Sequence, residues 1–172
     1  FGLLTLSHYG ISWDEPEHFM RGQAYLRLFL TGQQTYKDLP SYNLALARSD
    51  PGYHERSYYQ HDLYTGQVWF VTDSGHPPLN DILAALFNNI FYQKLGLSGD
   101  IEGYHLFNIF IGAVLIGLVF LFAAQAFSVW AGVLSAVFLA TYPLFWAESH
   151  FNIKDPAQAA FFVLSIFLFW KG

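Results

Sequence analysis

Apolar residues are arranged in two different ways along this 172-residue chain. In the second half they run on without interruption. Residues 106–127 carry no charge over about 22 positions, and residues 129–147 none over about 19, each enough to cross a hydrocarbon layer of about 30 Å. A short turn around Gln125 to Ser128 joins them, so the pair is predicted to form a transmembrane hairpin, with Tyr142 and Trp146 as interfacial aromatics near one end. A charged cluster, Glu148 to Pro156, follows as a loop. Residues 157–170 then begin a third apolar span, with Asp155 and Pro156 placed as cap and first-turn residues.

The first half alternates instead. Residues 1–11 read as the end of a first span, losing their apolar character at Ser7, His8 and Tyr9. Ser12 followed three residues later by Glu15 is a capping-box pattern, and Pro16 suits a first helical turn, so a helix is predicted to start here. Glu17 and Arg21 are spaced i,i+4 in the favourable order. Phe19, Gln23, Leu26 and Leu30 share one face, with Met20 and Ala24 beside it, which predicts an amphipathic helix lying along the membrane surface. From 31 to 75 the chain is broken by Gly32, Pro40, Pro51, Gly52 and Gly66 and reads as a large extramembrane loop, with a short strand at 68–71. After Gly75-His76-Pro77-Pro78-Leu79, residues 82–95 read as a helix, and 98–103 as a loop. The helix contains Asn88, Asn89 and Gln93 and falls short of the roughly 20 residues of a span, so it is assigned as interfacial or re-entrant.

Composition agrees with this division. The chain is 53% hydrophobic and only 12% charged, about half the charged share of a soluble domain, and the charges gather in the first hundred residues and the 148–155 cluster. The fold class expected is therefore all-α: a polytopic membrane protein whose transmembrane helices flank a large first extracytoplasmic loop carrying amphipathic juxtamembrane helices. The net charge of -5 offers nothing to nucleic acid. Without cysteine there are neither disulfides nor thiolate metal sites. Lys171 at the far end of the third apolar run points to a cytoplasmic side there.

If the 82–95 helix does not cross the bilayer, the first loop and the Glu148 to Asp155 loop share one face of the membrane. That parity gathers Asp14, Glu15, His76, His150 and Asp155 at one interface. Each has a plainer structural use. Adjacent acids at 14 and 15 and an acid at 155 cap helices and complement their dipoles. A turn histidine bonds backbone, and His150 with Lys154 forms a basic pair facing headgroups or, at a helix N-terminus, an anion site.

The order of these motifs resembles the GT-C glycosyltransferases, in particular the branch with the protein O-mannosyltransferases and lipid A aminoarabinose transferases. Asp14-Glu15 follows a first membrane segment, His76-Pro77-Pro78-Leu79 closes the first loop, and Asp155 opens a membrane helix after two uncharged spans. The resemblance covers nearly the whole chain as the N-terminal part of one transmembrane catalytic domain: 1–11 the end of the first span, 12–103 the first extracytoplasmic loop, 104–172 two full spans and the start of a third. It implies an integral membrane enzyme, with its active site on the extracytoplasmic or lumenal side. The activity implied is transfer of a sugar from a polyprenyl-phosphate donor to a protein, lipid or glycan acceptor.

Carried over by position, Asp14 is the general base and Glu15 its partner. His150 and Lys154 would meet the donor phosphate, and His76 and Asp155 would contact substrate or a divalent metal ion, which some enzymes of the class use and oxygen and imidazole ligands suit, although no feature of the sequence requires one. The acceptor hydroxyl must lose its proton as it attacks the anomeric carbon, which a placed carboxylate accomplishes. The departing lipid phosphate needs its charge stabilised rather than a proton. The chain departs from the mannosyltransferase pattern twice. His150 stands where an arginine precedes the second-loop aspartate, and Asn80-Asp81 where Gly-Lys follows His-Pro-Pro-Leu, each removing a fixed positive charge. A transporter fragment with path-lining acids and a scaffold with a partner-binding loop are the alternatives. Uncharged spans with acids only at their ends argue against the first.

Overall fold

The computed structural model describes residues 2–50, 53–54, 56–61 and 77–172. Among them every regular element is helical, and they fall into two compact units, Ile11–Phe107 and Phe1–Gly10 with Asn108–Gly172. The predicted strand at 68–71 and His76 lie outside the described residues.

In the unit Ile11–Phe107, helix α2 (Glu15–Thr31) packs against α4 (Leu79–Asn88). Gly22 sets their distance, since a Cβ there would lie 2.1 Å from the Asp81 carbonyl oxygen. Helix α2 ends where Gly32 adopts φ 72° and returns its N–H to the Leu28 carbonyl at 2.8 Å, a conformation glycine takes without strain. The prolines at 77 and 78 precede α4 as expected. Beyond it the hydrogen bonding widens into a π-helical turn (Asn89–Lys94), which puts the Gln93 amide on Asn88 Oδ1, five residues back, at 2.8 Å. The short helix α3 (Leu44–Ser49) lies within the segment expected to be loop, capped by the Asn43 side chain.

The expectation that α2 divides into an apolar buried face and a polar outer one is corrected here. Glu15, His18, Arg21 and Gln23 are buried together with Phe19, Met20, Ala24 and Leu26, while Phe29 and Leu30 are exposed beside Glu17 and Thr31. The core receiving them is itself polar. Gln23 Nε2 donates to Tyr104 Oη at 2.7 Å and Asn88 Oδ1 at 3.1 Å, the Ser57 hydroxyl meets Tyr104 Oη at 2.8 Å, and Gln60 donates to Gln23 Oε1 at 2.9 Å. Helical periodicity distinguishes faces by polarity and misses a face buried through hydrogen bonds. Phe19 stacks on Tyr104 with ring centroids 4.1 Å apart, filling the apolar remainder.

In the other unit, residues 2–8 form a short helix α1 (Gly2–Thr5) and a 3-10 turn (Leu6–His8). Helix α5 (Asp100–Ala126) begins in the first unit, which it leaves after Phe107, and its remainder belongs here; it starts earlier than the sequence suggested, taking up most of the expected 98–103 loop, and is long and apolar enough to cross a membrane. The second leg of the hairpin is not one straight span. It divides into α6 (Val129–Thr141) and α7 (Pro143–Phe151), bent by 65° at Tyr142. Pro143 explains this, having no N–H to offer and driving the residue before it out of the helical region; Tyr142 sits at φ −71°, ψ 116°. Helix α6 closes on α5 at Gly132, where a Cβ would come within 2.7 Å of the Phe120 carbonyl oxygen, the small-residue approach common between membrane helices. Helix α8 (Asp155–Lys171) runs 17 residues.

Candidate active site

Trp13-Asp14-Glu15-Pro16 opens α2, but the capping box is realised only in part. The Ser12 N–H donates to Glu15 Oε2 at 2.7 Å as that pattern requires, while Asp14, not Ser12, occupies the N-cap position, and its side chain makes no cap hydrogen bond. The two acids then divide. Glu15 is 1% exposed, and its Oε1 accepts from His105 Nε2 of α5 at 3.0 Å. The Asp14 side chain keeps 39% exposure, accepts from the Ser12 hydroxyl at 3.2 Å and lies 3.8 Å from His18 Nε2. One turn into α2 the ring of His18 is buried. Its Nδ1 donates to Asp81 Oδ1 of α4 at 2.9 Å, and Asp81 Oδ2 accepts from Arg21 Nη1 at 2.9 Å. Asp81, where the family pattern has lysine, is thus the partner of two cationic-type groups on the facing helix. Its charge answers Arg21.

The remaining candidates lie in the other unit. His150, on α7 and 2% exposed, has both ring nitrogens engaged: Nδ1 with the Trp146 carbonyl at 2.7 Å and Nε2 with the Thr5 hydroxyl at 2.9 Å. Its ring stacks on Tyr9 at 4.2 Å. Glu148 to Phe151 belong to α7, so the expected loop shrinks to the residues between α7 and α8. The cap of α8 is also reassigned. Asn152 Oδ1 accepts the N–H groups of Lys154 and Asp155 at 2.9 and 3.1 Å, while its Nδ2 donates to Glu148 Oε2 at 2.6 Å and Asp155 Oδ2 at 2.9 Å. Asp155 therefore keeps an exposed carboxylate beside the first turn of α8 instead of capping it. An apolar cleft of about 410 Å³, lined by Leu115, Leu139, Phe145 and Ala159, ends at Glu148 and Asp155.

Among the described residues no three His, Asp or Glu side chains converge as metal ligands. Glu148 and Asp155 meet on one amide without a third. The donor set falls short of a divalent-ion site, and no step below passes through one.

A family model for dolichyl-phosphate-mannose-protein mannosyltransferase matches residues 75–172, more than half the chain. The chain belongs to the dolichyl-phosphate-mannose-protein mannosyltransferase family. Membership makes it a membrane protein of glycosyltransferase type. Comparisons with curated proteins and with solved structures found no match. The mannosyltransferase match takes in α4 to α8, hence Asp81, His105, His150, Lys154 and Asp155, while Asp14 and Glu15 precede it. Sequence reasoning missed His18 and His105 as neighbours of the acid pair. The signal that finds His18 is its i,i+4 spacing from Asp14; none in the sequence points from Glu15 to His105, 90 residues on.

Proposed function

We propose that the chain acts as a polytopic mannosyltransferase-type enzyme that moves a sugar from a polyprenyl phosphate to an extracytoplasmic or lumenal acceptor, protein in the first instance, with inversion. Asp14 is the general base: it takes the proton of the acceptor hydroxyl as that oxygen attacks the anomeric carbon, and the polyprenyl phosphate leaves as an anion. Glu15 braces the loop from within through His105 and the Ser12 N–H and does not touch substrate.

The observation supporting this reading is the division of the acid pair. Of two adjacent carboxylates, one is buried and bonded, while the other sits accessible at a helix start without performing a cap's work. A capping aspartate would spend its oxygens on the N–H groups of the first turn.

For the donor, the apolar cleft ending at Asp155 suits a polyprenyl chain, and Lys154 at the start of α8 suits its phosphate. His150 would join them only by giving up its bond to Thr5. A divalent ion at Asp155 would draw a further ligand from His76, which lies outside the described residues, and chelator-insensitive transfer would remove that assignment.

The deciding experiment is Asp14→Asn in the full-length protein. Transfer is expected to fall by about 10²- to 10⁴-fold with insertion and thermal stability preserved. Wild-type rates in that variant would overturn the assignment.

A further inference from the structure

Asp14 is the outermost member of a line of alternating charge. Behind it lie His18 Nε2 at 3.8 Å, Asp81 Oδ1 at 2.9 Å from His18 Nδ1, and Arg21 Nη1 at 2.9 Å from Asp81 Oδ2. Exposure declines inward, the side chains keeping 39% at Asp14, 8% at His18, 2% at Asp81 and 3% at Arg21. The histidine links the accessible acid to the buried ion pair.

We infer that His18 is the positioning residue of Asp14, its ring held from behind by Asp81 and Arg21 and turned so that Nε2 faces the Asp14 carboxylate and sets its orientation. The inference rests on Asp14 being the base. With the Nδ1 proton given to Asp81, only Nε2 is left to face Asp14, and the ring can be neither flipped nor rotated without breaking a buried bond. Arg21 Nη1, 3.4 Å from the same Nδ1, closes the far side of the ring. The neighbouring acid, Glu15, is already bonded to His105.

Base catalysis gives this arrangement its use. A carboxylate held in one orientation is ready to take the acceptor proton without first reorganising. No atom of His18 need touch substrate.

The test uses purified full-length protein with polyprenyl-phosphate mannose as the donor probe, following release of polyprenyl phosphate. In His18→Asn, whose amide nitrogen stands near the Nδ1 position and still meets Asp81, kcat per folded enzyme should fall by about 10- to 100-fold while KM for the donor holds within about twofold. Asp81→Glu, which keeps the charge and displaces the ring, should lower kcat by less at the same KM, and it carries the test if His18→Asn does not fold. Wild-type kcat in the folded variant, or a loss expressed in KM instead of kcat, would make His18 structural and overturn the inference while Asp14→Asn stays inactive. Wild-type transfer by Asp14→Asn would instead remove the base assignment itself and the inference with it.

Discussion

The two units solve opposite solvation problems with one chain. In the unit Ile11–Phe107 the inside is polar: Glu15, His18, Arg21, Gln23, Asp81, Asn88 and His105 are buried and joined by hydrogen bonds across three helices. In the unit of residues 1–10 and 108–172 the outside is apolar, with Phe127 at 84% exposure, Phe138 at 72% and Phe169 at 91%. Such a face suits hydrocarbon, where nothing is gained by hiding a phenylalanine and every backbone group must be satisfied within its own helix. The polar core has the converse economy. Each buried group is costly alone and inexpensive in a complete network, so function and fold depend there on the same bonds.

The hardest blow to this contrast is Arg21→Met. Removing one partner of a buried ion pair leaves Asp81 charged in the core, and unfolding should become easier by about 3–5 kcal/mol, measured by denaturant titration in detergent. A loss below about 1 kcal/mol would mean that the network is solvated and that the two units do not differ as described.

Phe138→Arg tests the other side. An arginine on the apolar face of α6 should oppose membrane insertion by about 3 kcal/mol, read as a loss of the alkali-resistant membrane fraction. Unchanged insertion would show that this face does not meet lipid.

Next in size is a pair of glycines. Gly22→Ala drives a methyl group into the Asp81 backbone and should cost about 3 kcal/mol, because helix backbone cannot give way as a flexible side chain can. Gly117→Ala, in the apolar part of α5 with open space around the added carbon, should be neutral or mildly stabilising by helix propensity. Equal effects at both positions, followed by thermal unfolding, would deny that α2 and α4 are held at backbone contact.

These cases also mark what the sequence made legible. The apolar run at 106–127 is legible as a helix long enough to cross a membrane, and α5 covers all of it but the last residue. Pro143 was legible too, yet averaging hydrophobicity over 129–147 hid it, and a single missing N–H bends the helix by 65°. The start of α2 could be placed from Ser12, Glu15 and Pro16. Which acid would be buried could not, since Glu15 is committed by a histidine 90 residues away. The polar face of α2 was misread for the same reason: its partners Asp81, Asn88 and Tyr104 come from other helices, and local patterns carry no record of them.

The smallest effect belongs to the second Arg–Asp pair of the polar-cored unit. Arg27 donates from Nη2 to Asp38, from Nε to the Thr35 carbonyl at 2.8 Å, and lies over the Tyr36 ring at 5.3 Å. The bond from Arg27, aided by a hydrogen bond from its own backbone, holds the Asp38 carboxyl below the usual carboxylate range. A carboxyl whose folded value is lowered adds stability above its unfolded value, and that stability is lost as pH falls through the folded one, so any loss lies below about pH 4. Asp38, however, is 56% exposed, and salt screens a pair so placed. Asp38→Asn should therefore leave the melting temperature unchanged at pH 7 in physiological salt. A small drop should appear at low ionic strength and vanish again below about pH 4. The effect of Arg21→Met should persist at every salt concentration. If Asp38→Asn proved as costly as Arg21→Met, burial would not be what gives charge its weight in this unit.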